Sequence, residues 1–330
     1  NLPGPVEIKA SLAKNTNIFV LSKDVAVASG RVTQSGLSLS MSKVALLGGT
    51  DGDTSTIVAR MVDRVGNAVP DGTVISFISE GGSVTPNCGT TNGACSVTLT
   101  TQNPRPLDDR VTVLAFVEGD KSYTDIDNDN MYTAGIDKLI QNIGDFFLDD
   151  NENNQKDEGE FKYVRGASGT ACVASTIDQP NINNTCDDKL DAVLRKQLRF
   201  AFSDDTPTFV ALSGINTSMT KATVGTFTFQ MFGNSLKTVP MPSGTTISAV
   251  AKDNTDNEQT CEAEVVSGSV TVPNTMNLLL PSTFPSTSNV AVTYSVRVLD
   301  KCTVGDEIRI TVTAPNGTIY KPLINIVKSY

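Results

Sequence analysis

Carboxylates and side-chain amides crowd one stretch of this 330-residue chain at intervals that suit a hard cation. Between 120 and 160 the acids are Asp120, Asp125, Asp127, Asp129, Asp137, Asp145, Asp149, Asp150, Glu152, Asp157, Glu158 and Glu160. Only Lys121, Lys138 and Lys156 oppose them, so 12 − 3 places −9 of the chain's net −10 in one segment. Like charges at this density repel, so the segment is either a solvated spacer or is neutralised by something bound. A calcium loop takes oxygen ligands at positions 1, 3, 5, 7, 9 and 12, the seventh through its backbone carbonyl. Counted from Asp149, those positions read Asp149, Asn151, Asn153, Gln155, Asp157 and Glu160, with Asn154 at the sixth, where a left-handed turn is wanted. Asp125, Asp127 and Asp129 begin the same pattern 149 − 125 = 24 residues earlier, with Asn130 at the sixth position. There Ile136 falls at the twelfth position and Asp137 one residue late, so this loop needs a rearranged ligand set. The bland reading of both is a pair of Asx-rich turns held by their own side chains. The favoured reading is a calcium-binding insert, with Ile136, Leu139, Ile140 and Ile143 at helical spacing as an entering helix and 161–164 as an exit strand.

The elements that must hold these loops read as β-structure. From 37 to 119, strand-like runs recur at close intervals (Leu37 to Met41, Thr56 to Val62, Thr73 to Ile78, Cys95 to Thr100, Arg110 to Val117), with Gly, Pro, Asn and Asp between them. In the run from Cys95 the apolar face is Cys95, Val97 and Leu99, and the Ser and Thr residues face out. The last part of the chain has the same alternation. Phe227, Phe229 and Met231 are interleaved with polar residues, as are Ile308, Ile310 and Val312, and Asn316-Gly317 marks a hairpin. The fold class is therefore all-β, tandem immunoglobulin-like sandwiches with an acidic insert. The division expected is 1–36 as N-terminal strands or the remnant of an upstream domain, 37–119 as the first sandwich, 120–165 as the insert, 166–199 as a disulfide-clipped linker and 200–330 as the second sandwich. Ala192 to Phe202 suits helix or strand, with strand favoured because it feeds a β-domain.

Six cysteines fall as three sequence-local pairs: Cys88 with Cys95, Cys172 with Cys186 and Cys261 with Cys302. Their spacing fits no zinc motif and the chain has no His, so disulfides in an oxidising compartment are expected rather than free thiols. The Cys261–Cys302 bridge would close a long loop, a contribution of about 3–4 kcal/mol in the chain-entropy description.

Asp63, Gly66-Asn67, Val69-Pro70 and Val74, followed by Thr90-Thr91 and the strand Ala94 to Leu99, resemble the group 1 bacterial immunoglobulin-like domain of invasin and intimin. In that family a strand ends in a D-x-x-G-N-x-V-P turn; the resemblance covers roughly 37–118. The segment from Gly93 to Pro106 with its Asp-rich sequel is also similar to FilF-type pilus-assembly proteins. The resemblance implies an extracytoplasmic, non-enzymatic scaffold or adhesin at the surface of a Gram-negative bacterium, exported through the periplasm. Its partners would be other pilus or surface-protein subunits, or a host or surface ligand.

Without His, imidazole-based catalysis is excluded, and no Gly-rich phosphate loop with its Lys-Ser/Thr continuation occurs. The carboxylates sit at metal-ligand spacing, and with Trp 0 and Tyr 6 aromatic sugar platforms are scarce, so a non-enzyme is expected. A pI near 4.6 argues against nucleic acid or an anionic membrane as partner, and no run is long enough to insert in a membrane. Two classes remain: a stalk of tandem sandwiches stiffened by Ca²⁺, or a ligand-binding adhesin or lectin-like module with calcium at its binding site.

Overall fold

In the computed structural model, the residues described are 4–23, 25–27, 30–140, 143–166, 172, 181–213, 218–219, 226–254, 261–267, 270–275, 293–298, 305–321 and 323–326. Every regular element among them is a strand. The chain is all-β, with two immunoglobulin-like sandwiches in sequence. None of the described residues forms a helix able to cross a membrane.

The first sandwich packs two sheets. One pairs Leu37–Met41, Thr54–Met61, Ala94–Thr100 and Ser83–Val84; the other orders Asn87–Gly89, Val74–Ser79, Arg110–Asp120, Asp191–Ser203 and Ala45–Leu47. Ile57, Ala59 and Met61 from the first sheet meet Ile75, Phe77, Val111, Val113 and Ala115 from the second in a closed core. The turn motif works as its residues require. Asp63 accepts the backbone N–H of Val65 and of Asn67, Gly66 takes φ 90°, and Val69 is buried. Asn92 and Gly93 both have positive φ, as a two-residue hairpin turn demands. The Cys88–Cys95 disulfide (Cα–Cα 5.9 Å) joins an edge strand of one sheet to a strand of the other.

Two expectations need correction here. The segment Asp191–Ser203 is a strand, but it belongs to the first sandwich and not to a linker running into the second. It pairs antiparallel with Arg110–Asp120 along eleven positions, from Arg110↔Ala201 to Asp120↔Asp191. Ala192, Leu194, Phe200 and Phe202 lie in the first core. The acidic segment is therefore inserted between the two longest strands of one sandwich. Residues 30–36 also belong with this unit: Val32 is buried in its core and Thr33 bridges Asp120. Ahead of them stands a two-stranded ribbon, with Lys9–Leu12 paired to Asn15–Leu21 at its tip and Gly4–Pro5 paired to Ala26–Val27 at its base.

The second sandwich sets Thr208–Ser213, Thr226–Phe232, Thr293–Val298 and Ala263–Ser267 against Ser218–Met219, Leu323–Ile326, Glu307–Thr313 and Thr246–Lys252. Its core contains Phe229, Met231, Tyr294, Ile308, Ile310 and Val312, as the alternation predicts. Cys261 is disulfide-bonded; Cys302 lies outside the described residues. The two sandwiches meet at a bonded junction. Asp204 N–H donates to Gly233 O at 2.7 Å, and the Asn234 amide donates to Asp108 O and to Asp109 Oδ2. The Asn274 amide donates to Ser42 O while its Oδ1 accepts Val44 N–H.

Candidate calcium loops on the outer face of the first sandwich

A sheet whose strands alternate between two apolar faces needs cover on both. Along Arg110–Asp120, Val111, Val113, Ala115 and Val117 face the sandwich core, while Leu114 and Phe116 face outward. The insert covers that outer face. Phe146, Leu148 and Tyr163 pack on Leu114, Phe116 and Val193, with Phe146 and Tyr163 stacked at 4.9 Å and 9°. Arg195, also outward, is fully buried beneath the insert. Its guanidinium donates to Gly144 O and to Asn181 Oδ1 and lies 5.1 Å from the Phe146 ring centroid, and burial lowers its pKa to about 9. The Cys172–Cys186 disulfide forms, with Cys186 buried; next to it Asp187 accepts from the fully buried Lys121 ammonium.

The insert contains two ribbons, each carrying one of the acidic loops at its tip. Tyr123–Thr124 pairs with Lys138–Leu139 around the first loop, and Phe146–Phe147 pairs with Lys162–Tyr163 around the second. Over its described residues 136–140, the entering helix expected at 136–143 is replaced by this ribbon. Thr133 O accepts N–H from both Ile136 and Asp137 in a single turn through Gly135 (φ 87°), and the chain then leaves as strand.

The loops match position by position. Asn128 and Glu152, at the fourth positions, have φ 59°; Asn130 and Asn154, at the sixth, have φ 63° and 58°. The first-position carboxylate accepts the sixth N–H in both, Asn130 to Asp125 and Asn154 to Asp149, each at 2.9 Å. The fifth-position side chain accepts the seventh N–H, Met131 to Asp129 and Gln155 to Asn153. Glu160 accepts Asp150 N–H with one oxygen and Asp157 N–H with the other. Asp137 does the same for Ile126 N–H and Thr133 N–H at 2.9 and 2.7 Å. Asp137, one residue out of register in the sequence, therefore occupies in the first loop the place Glu160 holds in the second.

Among the described residues one trio of carboxylates, Asp125, Asp127 and Asp137, brings ligand atoms within 4.8 Å of one another. Two oxygens on one Ca²⁺ at about 2.4 Å can lie at most about 4.8 Å apart, so this trio fits the ion's reach. Asp129 stays outside the trio, accepting Met131 N–H. Desolvation, then repulsion from Asp129 and Asp137, raises the Asp127 pKa. In the second loop Asp149 is buried and Asp157 Oδ2 accepts the amides of Asn151 and Asn153 at 2.6 and 2.5 Å, which lowers its pKa. Gln155 is an exposed residue whose N–H is engaged. Burial raises the Glu160 pKa.

Sequence spacing missed what fastens the loops to the sandwich. Glu152, between ligand positions, turns inward to form ion pairs with Arg110 and with Arg199, all three buried. Burial still raises the Glu152 carboxyl against both cations. Asp149 N–H donates to Gln197 Oε1. Glu80 lies in the same charged group, its pKa pushed to about 8 by burial, with Asp108, Asp150 and Glu152 adding to the rise. The first loop is held through Arg64, which donates to Asn130 Oδ1, pairs with Asp125 at 3.8 Å and lies 4.6 Å from the Tyr123 ring centroid. Beside it is a cleft of about 320 Å³ lined by Arg31, Arg64, Tyr123, Asn130, Met131 and Tyr132 among others.

No family model and no curated protein matches the chain. Similar solved structures include the adhesin InvE of Yersinia pseudotuberculosis, at 12% identity over 90% of this chain and 60% of that one, TM-score 0.26. A C-terminal 282-residue fragment of intimin, solved with the intimin-binding domain of the translocated intimin receptor, is 11% identical over 89% of this chain and 64% of that one, TM-score 0.27. Invasin, described as a bacterial integrin-binding protein, is 12% identical over 88% of this chain and 60% of that one, TM-score 0.21. The chain thus spans less than two thirds of each of these proteins.

Proposed function

We propose that this chain is a structural and adhesive segment of a bacterial surface protein, in which Ca²⁺ fixes the insert on the first sandwich and so stiffens the molecule. The observation that carries this reading is the internal equivalence of Asp137 and Glu160. Two loops of different sequence place a carboxylate in the same role and surround it with oxygen donors, the donor class hard cations take. Asp125, Asp127, Asp129 and Asp137 would hold one ion. Asp149, Asn151, Asn153, Asp157 and Glu160, with the Gln155 carbonyl, would hold the other. The ion would supply charge neutralisation and loop rigidity, and no chemistry on a substrate. The bonded junction between the sandwiches suits an extended scaffold that presents or spaces a binding surface. Assembly with pilus or other surface subunits, and export through a Gram-negative periplasm, belong to the same reading.

The test is calorimetric titration of Ca²⁺ into chelator-treated protein, with thermal unfolding in Ca²⁺ and in EDTA. Ion at 100 times its Kd stabilises the sandwich it binds by about 2.7 kcal/mol. Asp137→Asn and Glu160→Gln should each remove one binding event. Titration without heat and identical melting in both buffers would overturn the calcium reading. A second reading, a binding module, is favoured by the cleft beside the first loop: Asn130, Met131 and Tyr132 form one wall, so loop order would control its shape.

A further inference from the structure

Both acidic loops are tied to the first sandwich by arginine, but the arginines answer to different carboxylates. Under the second loop Arg110 and Arg199 pair with Glu152, one with each of its oxygens. Glu152 stands at the fourth loop position, which is not a ligand position. The first loop has Asn128 there, and its fastening reaches a ligand instead. Arg64 lies 3.8 Å from Oδ2 of Asp125, the first-position carboxylate, and donates to Asn130 Oδ1 at 3.3 Å. Its guanidinium is 4.6 Å from the Tyr123 ring centroid, and its side chain lines the cleft of about 320 Å³.

Asp125 is therefore claimed twice. Its Oδ2 accepts Asn130 N–H at 2.9 Å and faces Arg64, while its Oδ1 is buried and accepts no hydrogen bond among the described residues. The same side chain belongs to the trio with Asp127 and Asp137 that fits the reach of one Ca²⁺. An ion in that trio and the Arg64 guanidinium are two cations on one carboxylate. In water, a divalent and a monovalent charge about 6 Å apart repel by about 10-fold in Kd, and salt reduces this.

We infer that Arg64 is an internal competitor of Ca²⁺ at the first loop: the guanidinium lowers the loop's affinity for the ion, and the bound ion drives the guanidinium off Asp125 toward the cleft. The inference rests on the calcium reading of the first loop. Linkage makes the effect reciprocal, so the factor Arg64 takes from ion binding is the factor the ion takes from the Arg64–Asp125 pair. The second loop has no such exchange, because Glu152 holds Arg110 and Arg199 without being a ligand. The second ion thus adds to the fastening of the insert, and the first trades against it. Arg64 follows Asp63 in the turn of the first sandwich, so this exchange is felt in the sandwich and in the cleft wall together.

The experiment is calorimetric titration of Ca²⁺ into the full chain with each loop isolated in turn, Glu160→Gln leaving the first and Asp137→Asn the second. Arg64→Gln removes the competing charge and keeps an amide donor for Asn130. Added to Glu160→Gln it should lower the Kd about 3–10-fold, and added to Asp137→Asn it should change nothing. A measurement on the unaltered chain follows the displacement directly: phenylglyoxal should modify Arg64 faster in Ca²⁺ than in EDTA, read by peptide mass spectrometry. Arg297 of the second sandwich, exposed and paired with Glu264, is the reference and should react equally in both. An unchanged or higher Kd in the Arg64→Gln/Glu160→Gln chain overturns the inference, as does equal modification of Arg64 in the two buffers. In either case the calcium reading stands, because the parent chains still give heat. Absence of heat from the wild-type chain removes the calcium reading and this inference with it.

Discussion

Glu152 allows the attachment of the insert to be tested without touching a candidate metal ligand. Its side chain is 7% exposed between Arg110 at 4% and Arg199 at 6%. Removing its charge by Glu152→Gln strands two buried guanidinium groups. Breaking a buried ion pair by deleting one partner costs about 3–5 kcal/mol, because the remaining charge is uncompensated. For a unit of 150–250 residues each kcal/mol shifts Tm by about 2–4 °C, so the first sandwich should melt about 6–20 °C lower. Differential scanning calorimetry should show this shift in one transition while the second sandwich, with its own core, melts as before. The burial that raises the Glu152 pKa against two arginines indicates that desolvation rivals the pairing energy. The triple variant Glu152→Leu/Arg110→Met/Arg199→Met should accordingly recover most of the loss, as buried ion clusters replaced by apolar groups commonly do. A Glu152→Gln shift under about 1 kcal/mol would refute the reasoning, since that is the range of solvent-exposed pairs. Failure of the triple variant to recover would show that the cluster fixes the insert's position rather than merely satisfying its own charges.

Three further outcomes follow from particular contacts. Glu80 has its folded pKa raised to about 8, so between roughly pH 4.5 and 8 the folded state binds the proton and the unfolded state does not; stability is full below that window and falls as pH rises through it, by at most about 1.4 kcal/mol per pH unit for one proton. Urea unfolding from pH 5 to 9 should show a shallower slope in Glu80→Gln. Gly93→Ala should destabilise the first sandwich by more than about 1 kcal/mol, because at φ 71° a Cβ would stand 2.8 Å from Met61 O and 2.9 Å from Ala68 Cβ; equal urea midpoints would contradict it. Phe146→Ala should cost about 3–5 kcal/mol and expose the insert to protease before the sandwich unfolds, since Phe146 joins the insert to Leu114 and Val193.

The first sandwich was legible where strands have one face in the core and one in water, as with Val97 and Leu99 against Ser96 and Thr98. Legibility failed at Asp191–Ser203 for a physical reason: both its faces are buried, one by the core and one by the insert, so its apolar residues run without alternation. Such a run looks like a helix or a stray strand until the cover on its second face is known. Arg195, Gln197 and Arg199 within it are the polar residues that receive the insert. The helical spacing that begins at Ile136 misled in the opposite way over 136–140, because Gly135 and the Asp137 carboxylate close a single turn and release the chain as a ribbon.

The acidic loops show what position counting reads in a sequence and what it leaves out. Position counting assigned the second loop because Glu160 falls at the twelfth place, and it left the first incomplete because Ile136 does. The requirement, however, is on where two oxygens lie and not on a residue number. Glu160 spans the N–H groups of the second and ninth positions with a side chain one methylene longer, and Asp137 spans the equivalent pair from one residue further along with a shorter one. The extra backbone step replaces the missing methylene. A carboxylate that looks misplaced in a linear pattern can thus be in place in space, and the two loops stand as repeats at 24-residue spacing whose ends were solved by different side chains.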